Sequence, residues 1–396
     1  MKRLLTITAM LFFVGAVAYA QTGAFQEATS TYYRVFSEVG LTHAQETADM
    51  LDAYVSLYNS YLHFNTNALE TKLKVRIFAN KTNFDSYLST LIPQKRGSFV
   101  YLQYKDLAKS ELLGFYVDDD GFRKAIVHHG FVQFLKAFVP NPPLWLQKGF
   151  AVYLEKSTYN AETQAVQFVD NLVWVKTVKN IINGASGYDF ISLQDLLTLG
   201  VSRANMAIES FYAESWALIS FLTDSSLNRY NRLLWDTLSA LDAGATMSEN
   251  GASIVSEVFS WVSTDEFYTD FQNYIDDVKT FPELVTDGMA FYASSDFDGA
   301  ENFFLRAIER NEQHDIPYYY LGLINYARRD YNLAAYYYLT SQQMGGELGL
   351  TYYALGVNAY ADNRFDAAKS YLSKASEADP FGYGEKSMAL LEKIGQ

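Results

Sequence analysis

The sequence predicts an α+β protein that is predominantly helical, with a small sheet early in the chain and a solenoid of about three helix pairs at its end. Segments with alternating apolar residues are confined to an early region, while apolar residues elsewhere recur at helical spacing. The C-terminal part repeats with a fixed period, which is typical of stacked helix pairs. A length of 396 residues suits two domains of roughly 100 to 200 residues each.

Residues 1–20 have the pattern of a secretory signal peptide. Lys2 and Arg3 give a basic start, the apolar run 4–17 follows, and residues 18–20 (Ala-Tyr-Ala) form a small-residue cleavage site. No later run approaches the ~18 uninterrupted apolar residues of a membrane helix. We therefore expect a periplasmic or secreted protein that does not insert into a membrane once the signal is removed.

Composition excludes several classes of function. The formal net charge of −14 repels phosphate backbones, so nucleic acid is not an expected partner. The chain contains no cysteine, which excludes disulfides and thiolate zinc sites. A hydrophobic content of 49%, with 31 Tyr and 28 Phe, supplies ample material for folded cores.

The first domain is predicted to span residues 21–280. Apolar residues at spacings of three and four predict one or two helices over 28–61. Alternating patterns predict strands over 73–80 and 99–104. Helices are predicted over 122–138 and 144–157, separated by a proline-rich break, and most of the remainder is expected to be helical.

The second domain, 281–396, is built from a repeat of 34 residues. Glycine recurs at 288, 322 and 356, and alanine recurs at 300, 334 and 368 with the same spacing. Aromatic residues recur in phase at 297, 331 and 365, and small residues at 307, 341 and 375. Residues 383–394 are expected to form an end helix, because a terminal repeat cannot leave its stacking face bare.

This period and these positions resemble the tetratricopeptide repeat over about residues 282–380. The resemblance implies a concave face, formed by the first helix of each pair, that binds a protein or peptide partner. It also places five tyrosines on that face, at two repeat positions: Tyr292, Tyr326 and Tyr360, and Tyr319 and Tyr353. Tyrosine suits recognition because its ring is large and its tip is polar. The alternative is that these rings serve packing only.

Three segments of the first domain carry another resemblance. They are AIVHHGFVQFLKAF at 125–138, PLWLQKGFAVYLE at 143–155 and YAESWAL at 212–218. Together they resemble the gluzincin metallopeptidases, in particular the peptidase MA-like domains, which implies a zincin-like fold. In that family the first segment reads His-Glu-x-x-His, and the second reads Pro-x-Trp-Leu-x-Glu-Gly-x-Ala-x-Tyr and supplies a further zinc ligand.

The chemistry inside this frame is altered. If His128 is the first ligand, His129 occupies the general-base position, Val132 the second ligand position and Lys148 the third. Valine offers no lone pair, and an ammonium group repels Zn²⁺. The two adjacent histidines diverge by about 100° on a helix, so they cannot both bind one ion.

Three arrangements stay open for this cleft. His128 is a core histidine with a hydrogen-bond partner while His129 faces outward, or Lys148 replaces zinc as the local cation in a buried pair with Glu155 or Glu214. The third is a displaced metal site formed by His128, Glu155 and Glu214. The sequence favours an exported binding scaffold with a pseudo-metallopeptidase domain, without enzymatic activity and without a cofactor because the ancestral zinc is lost. The alternative function is a zinc metallopeptidase with unconventional ligands.

Overall fold

The computed structural model describes residues 24–92 and 97–395. The predicted signal peptide, residues 1–20, lies outside the described residues. The chain divides into two compact units, of which the first ends at Ile275 and the second starts at Asp276. Across the described ranges, no helix is long and apolar enough to cross a membrane.

A mixed sheet lies in the first unit. Among the described residues its strands are β1 Gln26–Thr29, β2 Tyr33–Ser37, β3 Leu73–Phe78, β4 Phe99–Leu102 and β5 Glu111–Phe115. The spatial order is β1-β2-β3-β5-β4, with parallel pairing of β2 with β3 and of β3 with β5, and antiparallel pairing at both edges. The predicted strands near 73–80 and 99–104 are therefore confirmed as β3 and β4.

The predicted helix over 28–61 is wrong in its first third, where the chain forms β1 and β2. Tyr33, Val35 and Ser37 are buried at alternate positions, which is the period of a strand with one covered face. Gly40 follows with φ 144°, a backbone conformation that favours glycine, and helix α1 Leu41–Leu62 begins directly after it.

Helices form most of the remainder of the first unit, together with a short hairpin of β6 Thr158–Asn160 and β7 Ala165–Gln167. The predicted helices near 122–138 and 144–157 are confirmed as α3 Asp120–Phe138 and α4 Leu144–Leu154. The further helices are α2 Lys81–Ser89, α3 Asp120–Phe138, α4 Leu144–Leu154, α5 Val175–Ile182, α6 Leu193–Thr198, α7 Val201–Met206, α8 Ile208–Asp224, α9 Asn228–Ser239, α10 Met247–Ser253 and α11 Thr264–Asp277.

The core of the first unit is centred on α3, α4 and α8. The side chain of Asp119 accepts a hydrogen bond from the backbone N–H of Phe122 and caps α3. Helix α4 is buried along most of its length, with Trp145 and Phe150 fully covered. A Cβ atom at Gly149 would lie 2.4 Å from the carbonyl oxygen of Ser215, so α4 packs on α8 more closely than any other residue type permits.

The second unit consists of successive helix pairs with an end helix. Its helices are α12 Phe281–Ala293, α13 Phe297–Arg310, α14 Asp315–Ala327, α15 Tyr331–Gln343, α16 Leu348–Ala361, α17 Phe365–Ala378 and α18 Pro380–Gly395. Helices α12, α14 and α16 are the first helices of the three pairs, and each packs on the helix that follows it. The predicted repeat and the predicted end helix are confirmed.

The repeated glycines have a direct structural cause. In each pair the glycine of the first helix faces a large side chain of the second helix, and a Cβ atom would lie within 3 Å of it. The three contacts are Gly288 with Phe304 at 2.8 Å, Gly322 with Tyr338 at 2.5 Å and Gly356 with Leu372 at 2.7 Å. The repeated alanines at 300, 334 and 368 are fully buried between the same helices.

Gly322→Ala should destabilise the array. The new methyl group would overlap the Tyr338 ring, and overpacking of this kind costs about 1 to 3 kcal/mol, which exceeds the gain in helix propensity. Urea unfolding of the full chain measures the change in the free energy of unfolding. Gly384→Ala in α18 is the control, because its nearest neighbour, the Ser376 Oγ, lies at an ordinary 3.6 Å. Equal effects of the two substitutions would contradict the steric explanation.

Candidate functional site

The four motif positions lie on two helices that pack against each other. His128, His129 and Val132 are in α3, and Lys148 is in α4. Val132 is only 6% exposed and its side chain belongs to the core. Packing therefore occupies the position at which the predicted motif would need a second zinc ligand.

His128 is held by a hydrogen-bonded chain. Its Nδ1 lies 2.9 Å from Glu155 Oε2, and because a carboxylate only accepts, Nδ1 carries the proton and donates. The other oxygen of Glu155 accepts from the amide of Asn171 at 3.0 Å, and the same amide donates to the carbonyl of Val152 at 2.8 Å. Burial lowers the pKa of His128, and the bond to Glu155 partly offsets this effect. His128 is therefore a half-buried, neutral histidine with a fixed orientation.

His129 does not face outward as predicted. Its ring stacks on Phe99 of β4 with centroids 5.5 Å apart, and the residue is half-buried. Burial lowers the pKa of His129 to about 3, and the nearby His128 and Lys148 act in the same direction. With a pKa below that of an ordinary glutamate, the His129 imidazole is a weaker base than the carboxylate that zinc peptidases use at this position.

Lys148 does not form the predicted pair with Glu155 or Glu214. Glu155 holds His128, and both oxygens of Glu214 accept the backbone N–H of Ile191, at 3.1 and 3.2 Å. Among the described residues Lys148 makes no ion pair, and its Nζ lies 6.0 Å from the centroid of the Tyr212 ring. Burial lowers the pKa of Lys148.

Glu214 is 5% exposed, and burial raises its pKa to about 8. At neutral pH the carboxyl group is therefore largely protonated, and the single backbone hydrogen-bond donor suits that state. Within the described ranges, no group of three or more His, Asp or Glu side chains has the arrangement of a metal site. The structure joins His128 to Glu155 but does not add Glu214 to them as a third ligand.

Two residues of this region were not singled out from the sequence. Asn171 is 2% exposed and orients Glu155, and Tyr212 provides the ring next to Lys148. Asn171 lies in the apolar run QFVDNLVWV at 167–175, and a polar residue within such a run is the sequence signal that points to it. Tyr212 stands directly before the Ala-Glu-Ser-Trp sequence that carries Glu214.

In the second unit, one tyrosine of each first helix packs within its own repeat. The three contacts join the last turn of the first helix to the first residue of the second helix. They are Tyr292 with Phe297 at 5.6 Å, Tyr326 with Tyr331 at 6.0 Å and Tyr360 with Phe365 at 5.9 Å. All three tyrosines remain half-buried, so each ring is fixed on one side and accessible on another.

The second tyrosine position links different helices. Tyr319 contacts Tyr338 at 5.8 Å, and Tyr353 contacts Tyr383 of the end helix at 5.2 Å. Burial raises the pKa of Tyr319 to about 12, with contributions from neighbouring tyrosines that include Tyr292 of the preceding repeat. Tyrosines from successive repeats are thus close enough to form one surface.

No family model matches this chain, and no curated protein matches it. Among solved structures it is similar to the Arabidopsis OM64 TPR domain, with 15% identity, 29% of this chain and 93% of that chain covered, and a TM-score of 0.27. It is also similar to the first TPR of Spaghetti (RPAP3) bound to the HSP90 peptide SRMEEVD, with 14% identity, 30% and 94% coverage, and a TM-score of 0.28. The helix pairs of the second unit, with their period of 34 residues, are tetratricopeptide-like helical repeats.

Glu214→Gln should make the stability of the protein less dependent on pH. Between the ordinary glutamate pKa of 4.5, which applies to the unfolded chain, and about 8, the folded chain holds a proton that the unfolded chain has released. Stability therefore falls as pH rises through this range. One such proton contributes a slope of at most roughly 1.4 kcal/mol per pH unit.

Urea unfolding at several pH values between about 5 and 8 measures this slope. We expect the free energy of unfolding of Glu214→Gln, relative to that of the wild type, to increase as pH rises. Glu209→Gln, at an exposed position of the same helix, is the control. A difference between Glu214→Gln and the wild type that stays constant with pH would show that Glu214 is ionised in the folded state.

Lys148→Met should leave the protein as stable as the wild type or stabilise it by up to about 1 kcal/mol, because an unpaired ammonium in a partly desolvated site is replaced by an apolar chain of similar length. Equilibrium urea unfolding at neutral pH is the measurement, with Lys176→Met at an exposed position as the control. A loss of more than about 1 kcal/mol relative to the control would reveal a stabilising partner of Lys148.

Proposed function

We propose that this chain is an exported protein-binding scaffold, made of a zincin-like, metallopeptidase-like unit that does not hold zinc and a tetratricopeptide-like array that binds a peptide. The row of half-buried tyrosines on α12, α14 and α16 carries the proposal. Export is inferred from the signal pattern of residues 1–20.

The motif positions of the first unit do not fit a zinc ion. Val132 has no donor atom, Lys148 brings a positive charge, and His128 has only its Nε2 left to offer because Nδ1 is bonded to Glu155. Glu214, the remaining candidate ligand, is bonded to the backbone of Ile191. A zinc site needs at least three converging lone-pair donors, so we assign no hydrolytic step to this cleft.

The resemblance to gluzincins is supported by the frame around this altered chemistry. A mixed sheet precedes α3, and the proline-rich break between α3 and α4 packs the two motif helices together. Helix α8, which carries Glu214, packs on α4. These are the three segments whose sequences resemble the family.

Zinc content tests the assignment of the first unit. After equilibration with zinc and desalting, elemental analysis of the wild type should find less than about 0.1 zinc per chain, since one histidine does not supply the lost coordination energy. The triple variant His129→Glu, Val132→His and Lys148→Glu recreates the family pattern and should bind about one zinc per chain.

Two results would contradict this assignment. Stoichiometric zinc in the wild type that disappears in His128→Ala would restore the metallopeptidase alternative. A folded triple variant without zinc would remove the support for a zincin-like frame. Circular dichroism of each variant verifies that it is folded.

Peptide binding tests the array. The ring of Tyr353 is held by Tyr383 and remains partly accessible, which is the state of a preorganised contact residue. A displayed library of random peptides of about 12 residues, selected on the full chain, should yield ligands whose affinity falls about tenfold in Tyr353→Ala.

Tyr336→Ala is the matched control for Tyr353→Ala. Tyr336 lies on the second helix α15 and is 60% exposed, so it offers the same side chain on a different helix of the array. Its loss should change the affinity less than twofold, because an exposed rim residue contributes little (about 0 to 0.4 kcal/mol). Equal losses in both variants, or no selected ligand, would contradict binding on the first helices.

A further inference from the structure

We infer that the first unit has a binding site for a neutral oligosaccharide, in a groove lined by helix α9 and by the exposed ring of Trp261. None of the lining residues belongs to the motif positions of α3 and α4 or to the array, so the inference is independent of the proposed function. It depends on a free aromatic face, on the hydrogen-bonding groups around that face and on the balance of charges in the groove.

Trp261 presents a free aromatic face in a fixed position. It is 62% exposed, and within the described ranges its ring contacts no other ring and no cation. In the chain it lies between the buried residues Phe259 and Phe267. The backbone N–H of Val262 donates to the carbonyl of Phe259 at 3.1 Å, and that of Phe267 donates to the carbonyl of Ser263 at 2.9 Å. The ring is therefore a preformed platform, on which a ligand has little ordering left to impose.

The backbone directly before Trp261 is unusual. Residues Ile254–Phe259 form a π-helical turn, a rare conformation that occurs frequently at functional sites. Ile254, Val258 and Phe259 of this turn are buried. The turn is thus anchored in the core of the unit, while Trp261, two residues later, is exposed.

Two adjacent cavities share Trp261 and Arg229 in their lining. The larger has a volume of about 580 Å³, within the range of roughly 300 to 1,000 Å³ that is usual for ligand sites. Its other polar lining residues, Asn228, Arg232 and Asp236, stand four residues apart and share one side of α9. The smaller cavity, of about 150 Å³, is lined in addition by Tyr230, Leu233, Val262, Ser263 and Glu266. A ligand that occupies both cavities is extended, which suits a chain of at least two sugar rings.

The charges around the groove compensate each other. The Nε of Arg232 lies 3.5 Å from Asp236 Oδ2. Arg229 bonds to Glu266 at 2.5 Å and also to Asp270. An anionic ligand would compete with these carboxylates, and a cationic ligand would compete with the two guanidinium groups. The groove therefore favours an uncharged ligand.

A neutral saccharide can use every group of the larger cavity. One face of a pyranose ring consists of C–H groups that can pack on the indole, and its edge carries hydroxyls that both donate and accept hydrogen bonds. The Asp236 carboxylate accepts, the Arg232 guanidinium donates, and the Asn228 amide does both. An apolar ligand would remove water from these three groups without replacing its hydrogen bonds.

Isothermal titration calorimetry of the full chain with neutral hexasaccharides tests the inference. The four probes are cellohexaose, maltohexaose, mannohexaose and the hexamer of N-acetylglucosamine. We expect saturable binding of at least one of them, with an affinity that changes less than about twofold between roughly 50 and 300 mM salt, because no charge pair forms. The charged hexamers of glucosamine and of galacturonic acid should bind at least about fivefold more weakly.

Substitution of Trp261 locates the site. Trp261→Ala should weaken the binding of the sugar about tenfold or more, whereas Trp261→Tyr, which keeps an aromatic face, should stay within about threefold of the wild type. The control is Trp235→Ala, with an expected change of less than about twofold. Trp235 is 47% exposed on α9, but its ring stacks on His63 at 4.2 Å and it lines neither cavity. Circular dichroism verifies that each variant is folded.

Three results would overturn the inference. They are the absence of saturable binding by all four neutral hexamers, tighter binding of a charged hexamer than of any neutral one, and equal losses of affinity in Trp261→Ala and Trp235→Ala. None of them bears on peptide binding by the array, which is measured separately.

Discussion

Both units depend on helices that approach each other more closely than a Cβ atom permits. In the first unit Gly149 fixes α4 against the backbone of Ser215 in α8, and in the second unit Gly322 and its equivalents fix each first helix against its partner. Such contacts leave little freedom for one helix to slide along the other. The positions of Lys148, next to Gly149, and of the tyrosines around Gly322 therefore follow from backbone packing and not from surface loops.

Within that frame, the side chains around His128 and Lys148 have the electrostatics of a packed core and not those of a metal site. A zinc site concentrates lone pairs around a cation, whereas here the one carboxylate, Glu155, is engaged by His128 and Asn171, and the groups around it are neutral or positive. His128 is neutral and bound to Glu155, burial favours the protonated form of Glu214, and Lys148 supplies the local positive charge. Each of these states disfavours the binding of a metal cation at these positions.

The parts of the fold that can be predicted from the sequence are those that depend on a regular spacing of residues. The repeat of 34 residues is visible because every pair needs a glycine and small residues at the same places, and α3 and α4 are visible from their apolar spacing and the proline-rich break. The strands β1 and β2 were missed because Val35 and Val39 fit a helical spacing as well as an extended one. The contacts around His128 and His129 are less predictable, because they join residues from distant parts of the chain. Asn171 reaches Glu155 only through tertiary packing, and His129 is covered because Phe99 of β4 stacks on its ring.

Packing and recognition are not exclusive roles for the tyrosines of the array. A ring that is free in the unbound protein loses rotamer entropy when a partner orders it, whereas a ring held on one side by a neighbour has already lost it during folding. Tyr292 and Tyr360 are held by the aromatic residue that begins the next helix, and Tyr353 is held by the end helix. Because each of them stays half-buried, the contacts that build the repeat also present a rigid aromatic surface.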